Sequence, residues 1–225
     1  MSSSSIISTW MQRLLLLLLL FFTAKMVQLS WPYLAIGEQV AFLRIKSYAL
    51  QFPWWEVAFY VHVFTSTFLL LAGFTQFSSK ILKRQPTLHR WMGRSYVILI
   101  LVLSGPAGFV MGLLANGGIW SRTAFVLLAL LWWWTTWQAW RTIRRGDIEK
   151  HRAFMYRSFA LTLSAITLRA WKYLIVLFFA PPPMDVYRMV AWLGWIPNLL
   201  LAEWLIRRKK GLGQRTKLSG LAIKE

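Results

Sequence analysis

The chain has 225 residues, of which 57% are hydrophobic, and it carries a formal net charge of +19. A soluble domain of this size could not bury so much apolar surface in one core, so most of the chain must be solvated by lipid. The absence of cysteine excludes disulfides, iron–sulfur clusters, thiolate metal sites and cysteine nucleophiles.

The first apolar run begins after Arg13 with seven successive leucines, a pattern typical of secretory signal peptides. It has no small-x-small cleavage site, and apolar residues resume after Lys25 and continue to about Ile36. We therefore interpret residues 14–36 as a first, uncleaved transmembrane span that contains one lysine, with a cleaved signal as the alternative.

Five further apolar runs are long enough to cross a bilayer, which takes about 20 helical residues. They lie near 57–79, 91–114, 120–140, 155–180 and 187–206. The sequence therefore predicts an all-α fold: a polytopic membrane helix bundle of about six transmembrane helices. We expect residues 1–225 to form one membrane domain that ends in a basic tail, 207–225. In the long connection before the second span, we expect Trp54 and Trp55 to anchor the chain at the membrane interface.

Lysine and arginine are distributed unequally between the two sides of this bundle, with 19 on the side of the termini and 5 on the other. The positive-inside rule then predicts a multi-pass protein of the cell (inner) membrane with both termini in the cytoplasm. The basic residues separate apolar runs instead of lining one soluble face, so we expect no binding of nucleic acid. The expected partners are the lipid bilayer and other membrane proteins.

Two segments of the chain are similar to each other. His89-Arg90-Trp91-Met92-Gly93-Arg94-Ser95-Tyr96 matches residues 151–159 with one insertion, and each segment opens a span that follows a basic loop. This similarity predicts a repeat of spans two and three by spans four and five, related by a pseudo-twofold axis along the membrane normal. Such an axis would bring His89 and His151 to equivalent depths.

The same motifs carry a family resemblance. They are Pro86, Leu88 to Tyr96, Arg145-Gly146-Asp147, His151-Arg152, Met155 to Ser158, Thr167-Leu168-Arg169, Trp195 to Leu200 and Ala202-Glu203-Trp204. Together they resemble the bacterial membrane family known as domain of unknown function 2306 over roughly residues 57–206, a family that implies no assigned reaction. More loosely, the chain resembles the four-helix cytochrome b superfamily of ferric and ascorbate reductases. It departs from that superfamily because it has three histidines, whereas two bis-histidine haems need four.

The paired histidines suggest a haem site. His89 and His151 could supply the two axial ligands of haem b, and Met92 or Met155 could replace one of them. The arginines that could hold the propionates are Arg90, Arg94, Arg152 and Arg157. The alternative is an imidazole that bonds a lipid phosphate or a helix-start amide. We expect no metal site, because only Asp147 and Glu149 lie nearby and basic residues outnumber them.

Polar and small residues also form stripes at helical spacing on two spans. One stripe is His62, Ser66, Leu69, Gly73 and Gln76, and the other is Ser158, Thr162, Ala165, Arg169 and Lys172. We expect His62, Gln76 and Arg169 to line a polar cavity, the alternative being close helix packing through the small residues. Glu203 is expected to pair with Arg207, four residues later.

These patterns leave two functions open. The first is a redox-linked protein, either a cytochrome-b-like haem binder or an accessory factor to membrane redox enzymes. The second is a non-enzymatic transporter of small solutes or ions, or a lipid-binding membrane module. No catalytic constellation is visible, because the only aspartates, Asp147 and Asp185, lie in connections on opposite sides. The sequence therefore does not decide whether the protein is an enzyme.

Overall fold

Helices make up nearly all of the chain in the computed structural model, which describes residues 3–35, 41–77 and 79–222, and these residues contain no β-strand. The predicted all-α membrane bundle is confirmed. The helices are α1 (Ser3–Ser30), α2 (Ser47–Leu50), α3 (Pro53–Gln76), α4 (Ser79–Arg84), α5 (Pro86–Ile98), α6 (Gly105–Leu113), α7 (Gly118–Arg144), α8 (Ile148–Thr162), α9 (Ser164–Phe179), α10 (Pro183–Leu193) and α11 (Ile196–Ala222). Two short 3₁₀ helices, Trp31–Ala35 and Ala41–Ile45, lie between α1 and α2.

Three helical segments of the described part are long and apolar enough to cross a membrane: Pro53–Gly73, Pro86–Leu113 and Pro183–Lys209. The pair α8 and α9 would make a fourth span, although it is bent by 42°. The 27-residue α7 is not among them, since six tryptophans and three arginines lower its mean hydropathy. The count of six spans, the first of which falls on α1, stays a prediction.

The second of these segments contains a π-helical section, Leu99–Ser104, between α5 and α6. Pro106, two residues after this section, has no backbone N–H to donate to the preceding turn. Side chains of neighbouring helices supply donors instead: Trp133 Nε1 donates to the Leu101 carbonyl at 3.0 Å, and His62 Nδ1 lies 3.0 Å from the Ser104 carbonyl. The π section thus exposes carbonyls that fix α3 and α7 against it.

The bundle has two ends that differ in composition. The Trp55 end, as we name it, carries residues 41–53 and the turns at 114–117 and 180–182. The His151 end carries Phe77, residues 79–85 and the turn at 145–147. A buried core that includes Tyr96, Trp132, Met155 and Phe159 lies between them. Phe159 packs so closely on α3 that a Cβ at Gly73 would lie 1.9 Å from its ring.

An aromatic cluster closes the Trp55 end. Tyr33, Trp55 and Phe59 are all less than 10% exposed and pack together with Phe42. The predicted interfacial role is therefore wrong for Trp55, which is 1% exposed, whereas Trp54 is 50% exposed. Consecutive helical residues point about 100° apart, which lets Trp55 turn into the cluster while Trp54 faces outward.

The predicted basic tail, residues 207–225, begins within a helix, because α11 continues through residue 207 to Ala222. The segments predicted as the third and fifth spans, which we expected to be equivalent, differ in shape. The first contains the π-helical section, and the second contains the 42° bend between α8 and α9. The predicted repeat stays a prediction.

Candidate functional site

A network of hydrogen bonds joins three helices in the middle of the bundle. The Tyr96 hydroxyl lies 3.0 Å from Ser158 Oγ and 2.7 Å from Thr162 Oγ1. Thr136 Oγ1 lies 2.7 Å from Ser158 Oγ, and Trp132 Nε1 donates to Thr162 Oγ1 at 3.0 Å. All five side chains are buried. Because each polar group has a partner inside the network, these contacts hold α5, α7 and α8 together without a ligand.

His151 lies in the first turn of α8, which Asp147 caps by accepting a 3.0 Å hydrogen bond from the Lys150 amide. Its Nδ1 is 2.8 Å from the Ala139 carbonyl of α7. A carbonyl only accepts, so Nδ1 carries the proton and Nε2 keeps its lone pair. This tautomer and this second contact are those of histidines that bind metal ions or haem iron.

His89 lies in the first turn of α5, close enough to His151 for the two imidazoles to interact electrostatically. Its Nδ1 is buried and has no hydrogen-bond partner in the described part of the chain. Its backbone carbonyl accepts from Gln76 Nε2 at 3.1 Å. The structure thus places both predicted histidines in first helical turns at the His151 end, where the two rings interact electrostatically, and one ring nitrogen of His89 has no partner among the described residues.

The predicted arginines have different surroundings. Arg94 is exposed, whereas Arg157 forms a two-bond ion pair with Glu203 of α11, through Nε to Oε1 at 2.5 Å and Nη2 to Oε2 at 2.9 Å. The expected pairing of Glu203 with Arg207 is therefore wrong. The fork of a guanidinium matches both carboxylate oxygens across the helix interface, which a flexible pair along one exposed helix face does not achieve.

Met155 occupies the apolar core instead of a polar site. It is 7% exposed and packs in the same cluster as Tyr96 and Phe159. Its neighbours are the ordinary contacts of a methionine that fills a hydrophobic gap.

His62 lies in the other half of the bundle, toward the Trp55 end. Its Nδ1 faces the Ser104 carbonyl, so this nitrogen also carries the proton. The ring meets Trp132 edge-on with centroids 6.2 Å apart, and a Cβ at Gly108 would lie 3.0 Å from it. Ser66 of the predicted stripe bonds Ser104 Oγ at 3.3 Å, so this face of α3 does point into the bundle.

Arg169 of α9 turns toward the same region. Its Nη1 donates to the Ala165 carbonyl at 2.6 Å, one turn earlier on the same helix. The guanidinium interacts electrostatically with His62, Tyr33 and Tyr173, and no carboxylate of the described residues pairs with it. Gln76 does not join this group, since it lies at the opposite end of α3 against His89.

Lys46 is a buried polar residue that the sequence analysis missed. It is 3% exposed, donates to the Leu114 carbonyl at 3.3 Å and to Asn116 Oδ1 at 3.0 Å, and lies 5.6 Å from the Trp55 ring centroid. Burial, and secondly the nearby Arg122 guanidinium, lower its pKa to about 8. A lysine within a long connection gives no sequence signal of burial; the aromatic residues on both sides of it are the only hint.

One comparison with known proteins gives a match. The model of a family described as a predicted membrane protein, domain of unknown function 2306, matches residues 59–206. This range includes His62, His89, His151 and Arg169, and it excludes α1 and Lys46. No curated protein and no solved structure matches the chain.

Proposed function

Since the chain belongs to this family of membrane proteins, whose description assigns no reaction, we propose from its own residues that it is a redox-linked protein that binds haem b through His89 and His151. One observation carries the proposal. Two imidazoles on different helices lie close together, one with its Nε2 lone pair free and the other with a buried nitrogen that has no described partner. Two such donors are what a six-coordinate haem iron requires.

The residues around the pair fit this role. The Ala139 carbonyl would hold the His151 ring in the ligating tautomer and orientation. Arg90, Arg94 and Arg152 are exposed near the two histidines and would hold the propionates. Arg157 and Met155 are left out of the proposed site, because the first is paired with Glu203 and the second lies in the core. When bound, the haem would supply a one-electron redox centre.

An absorption spectrum of protein purified from haem-supplied cells tests this proposal. We expect a Soret band in the wild type and in His62→Gln, the matched control, because His62 lies at a different depth. We expect His89→Gln and His151→Gln to lose most of it. His151→Met, which keeps an axial donor, should retain the band and shift the spectrum of the reduced protein.

Two results would contradict the haem proposal. The first is a wild-type protein that shows no Soret band although haem is supplied. The second is an equal loss of the band in all three histidine variants, which would indicate non-specific haem bound at the protein surface.

A second function, transport of a small solute or ion or binding of a lipid, is favoured by Arg169. This cation lies inside a membrane span beside His62 and has no carboxylate partner among the described residues. Ionisable residues at such depth commonly mark ligand or ion pathways. A protein without a Soret band would favour this second function.

A further inference from the structure

We propose that Arg169 binds the anionic headgroup of a single-chain amphiphile, of which a fatty-acid carboxylate is the simplest example, in the half of the bundle toward the Trp55 end. This proposal is independent of haem binding, because it concerns the opposite half of the bundle. The guanidinium, with His62 and Tyr33 beside it, would form the headgroup site. The acyl chain would lie along the membrane-facing surface of α9.

The depth of Arg169 is the first argument. It precedes the end of α9 by ten residues, and His62 follows the start of α3 by nine. At about 1.5 Å per residue both side chains originate about 14–15 Å from the Trp55 end, which is near the middle of a hydrocarbon layer of about 30 Å. A guanidinium cannot lose its charge at this depth, so it needs an anion or water.

The missing counter-charge is the second argument. Among the described residues Arg169 donates one hydrogen bond, which goes to the Ala165 carbonyl of its own helix and uses one of its five N–H groups. No carboxylate of the described residues forms an ion pair with Arg169: Glu203 holds Arg157, Asp185 holds Arg188, and Glu56 and Glu149 are in no ion pair with it. A carboxylate or phosphate would match the free fork of the guanidinium with two parallel bonds.

The residues around Arg169 favour an amphiphile over a free ion as the ligand. Tyr173 follows Arg169 by one turn on the same face of α9 and is 70% exposed, and the guanidinium also interacts electrostatically with Tyr33, which is 8% exposed. The face of α9 that carries Arg169 therefore continues to the exposed surface of the bundle. About one turn before Arg169 in α9, Ile166 forms an apolar cluster with Met26 of α1 and Leu70 of α3. An anion that arrives from the lipid must carry an apolar chain.

Equilibrium binding of radiolabelled oleate to the delipidated, purified protein in neutral detergent tests the proposal. We expect Arg169→Gln to weaken binding by about tenfold to a hundredfold, the loss of a charge-assisted hydrogen-bonded contact. Lys172→Gln is the matched control, since Lys172 is an exposed cation on the same helix, and it should bind like the wild type. Oleyl alcohol, with a similar chain and no charge, should bind weakly, and acetate should not displace oleate.

Any of the following results would overturn the proposed headgroup site. Equal oleate affinity in the wild type and Arg169→Gln, or equal affinity for oleyl alcohol, would indicate an apolar groove without an anion site. Displacement by acetate or inorganic phosphate would indicate a site for free anions. If Arg169→Gln does not fold, Arg169→Lys decides: it keeps the charge and loses the two-bond fork, so unchanged oleate affinity would contradict the proposed headgroup contact.

The same preparations separate this proposal from haem binding. His89→Gln and His151→Gln should bind oleate like the wild type, and Arg169→Gln should keep any Soret band that the wild type shows. Loss of oleate binding in the histidine variants would contradict an independent site.

Discussion

Lys46 shows how one buried cation can fix a connection onto a membrane bundle. Its ammonium caps the carbonyl at the end of α6 and the side chain of Asn116, and it lies over the rings of Phe42 and Trp55. These contacts replace part of the hydration that burial removes. Because they do so incompletely, the pKa of Lys46 falls to about 8.

We predict that Lys46 makes the free energy of unfolding depend on pH in a defined window. The folded protein loses the Lys46 proton near pH 8, whereas the unfolded chain keeps it until about pH 10.5. Between these values the unfolded state binds more protons, so raising the pH favours the folded state. Unfolding in detergent should show a rise in wild-type stability across this window, relative to Lys46→Met. Parallel pH profiles of the two proteins would contradict the lowered pKa.

The three histidines also differ at the level of single contacts. His62 and His151 both direct Nδ1 at a backbone carbonyl, so both keep Nε2 as the basic nitrogen. Of these two, only His151 interacts electrostatically with another histidine, His89, which is why we place the proposed haem site at the His151 end. His62 instead meets the Trp132 ring edge-on, with centroids 6.2 Å apart.

At the level of helices, the ion pair between Arg157 and Glu203 is a polar contact that joins α8 to α11. Both side chains are partly shielded, with 23% and 31% exposed. The Arg157 guanidinium also lies 5.0 Å from the Phe154 ring centroid, which orients it on its own helix. An ion pair that is held in place by packing and partly shielded from water stabilises the fold more than an exposed surface pair.

We predict that this pair couples the two helices. Arg157→Gln and Glu203→Gln should each lower the free energy of unfolding by about 1–3 kcal/mol, the range for a hydrogen bond to a charged group. The double variant should lose less than the sum, because each single change leaves its partner uncompensated. A double-mutant cycle measured by unfolding in mixed micelles provides the test. Arg207→Gln is the control and should show no coupling with Glu203; additive losses for Arg157 and Glu203 would mean that the contact contributes nothing.

At the scale of the whole molecule, the two ends of the bundle differ in charge and in packing. The connections of the His151 end and the tail carry most of the lysines and arginines, whereas aromatic residues close the Trp55 end. By the positive-inside rule, this asymmetry orients a membrane protein with its basic loops in the cytoplasm. The proposed haem site would then lie on the cytoplasmic side and the proposed amphiphile site in the outer leaflet.

We predict that both termini and the His151 end face the cytoplasm. A fluorescent protein fused after Lys224 should be bright, since such reporters fold in the cytoplasm. An alkaline phosphatase inserted in the turn at 116–118 should be active, since that enzyme needs an oxidising exterior. Phosphatase activity at Lys224 together with none at the turn would reverse the orientation.

Composition and spacing by themselves determined the fold class, because apolar runs of about 20 residues have few alternatives to helices in lipid. The stripe spacing likewise predicted which faces of α3 and α8 point inward, since a helix turns by a fixed angle at each residue. Each of His89 and His151 lies in the first turn of a helix, as the position of its motif at the start of an apolar run predicted, whereas the repeat itself stays a prediction. For these features the information is local, and the sequence contains it.

Only the tertiary structure decided which residues meet. Arg157 and Glu203 are 46 positions apart, so a partner four residues away was the nearer expectation until helix packing placed α8 beside α11. Tyr96, Trp132 and Thr136 form their network only because three helices converge on one depth. Lys46 is buried by a fold-back of its connection onto the turn after α6. Contacts of this kind depend on the relative placement of distant helices, which no local pattern in a chain encodes.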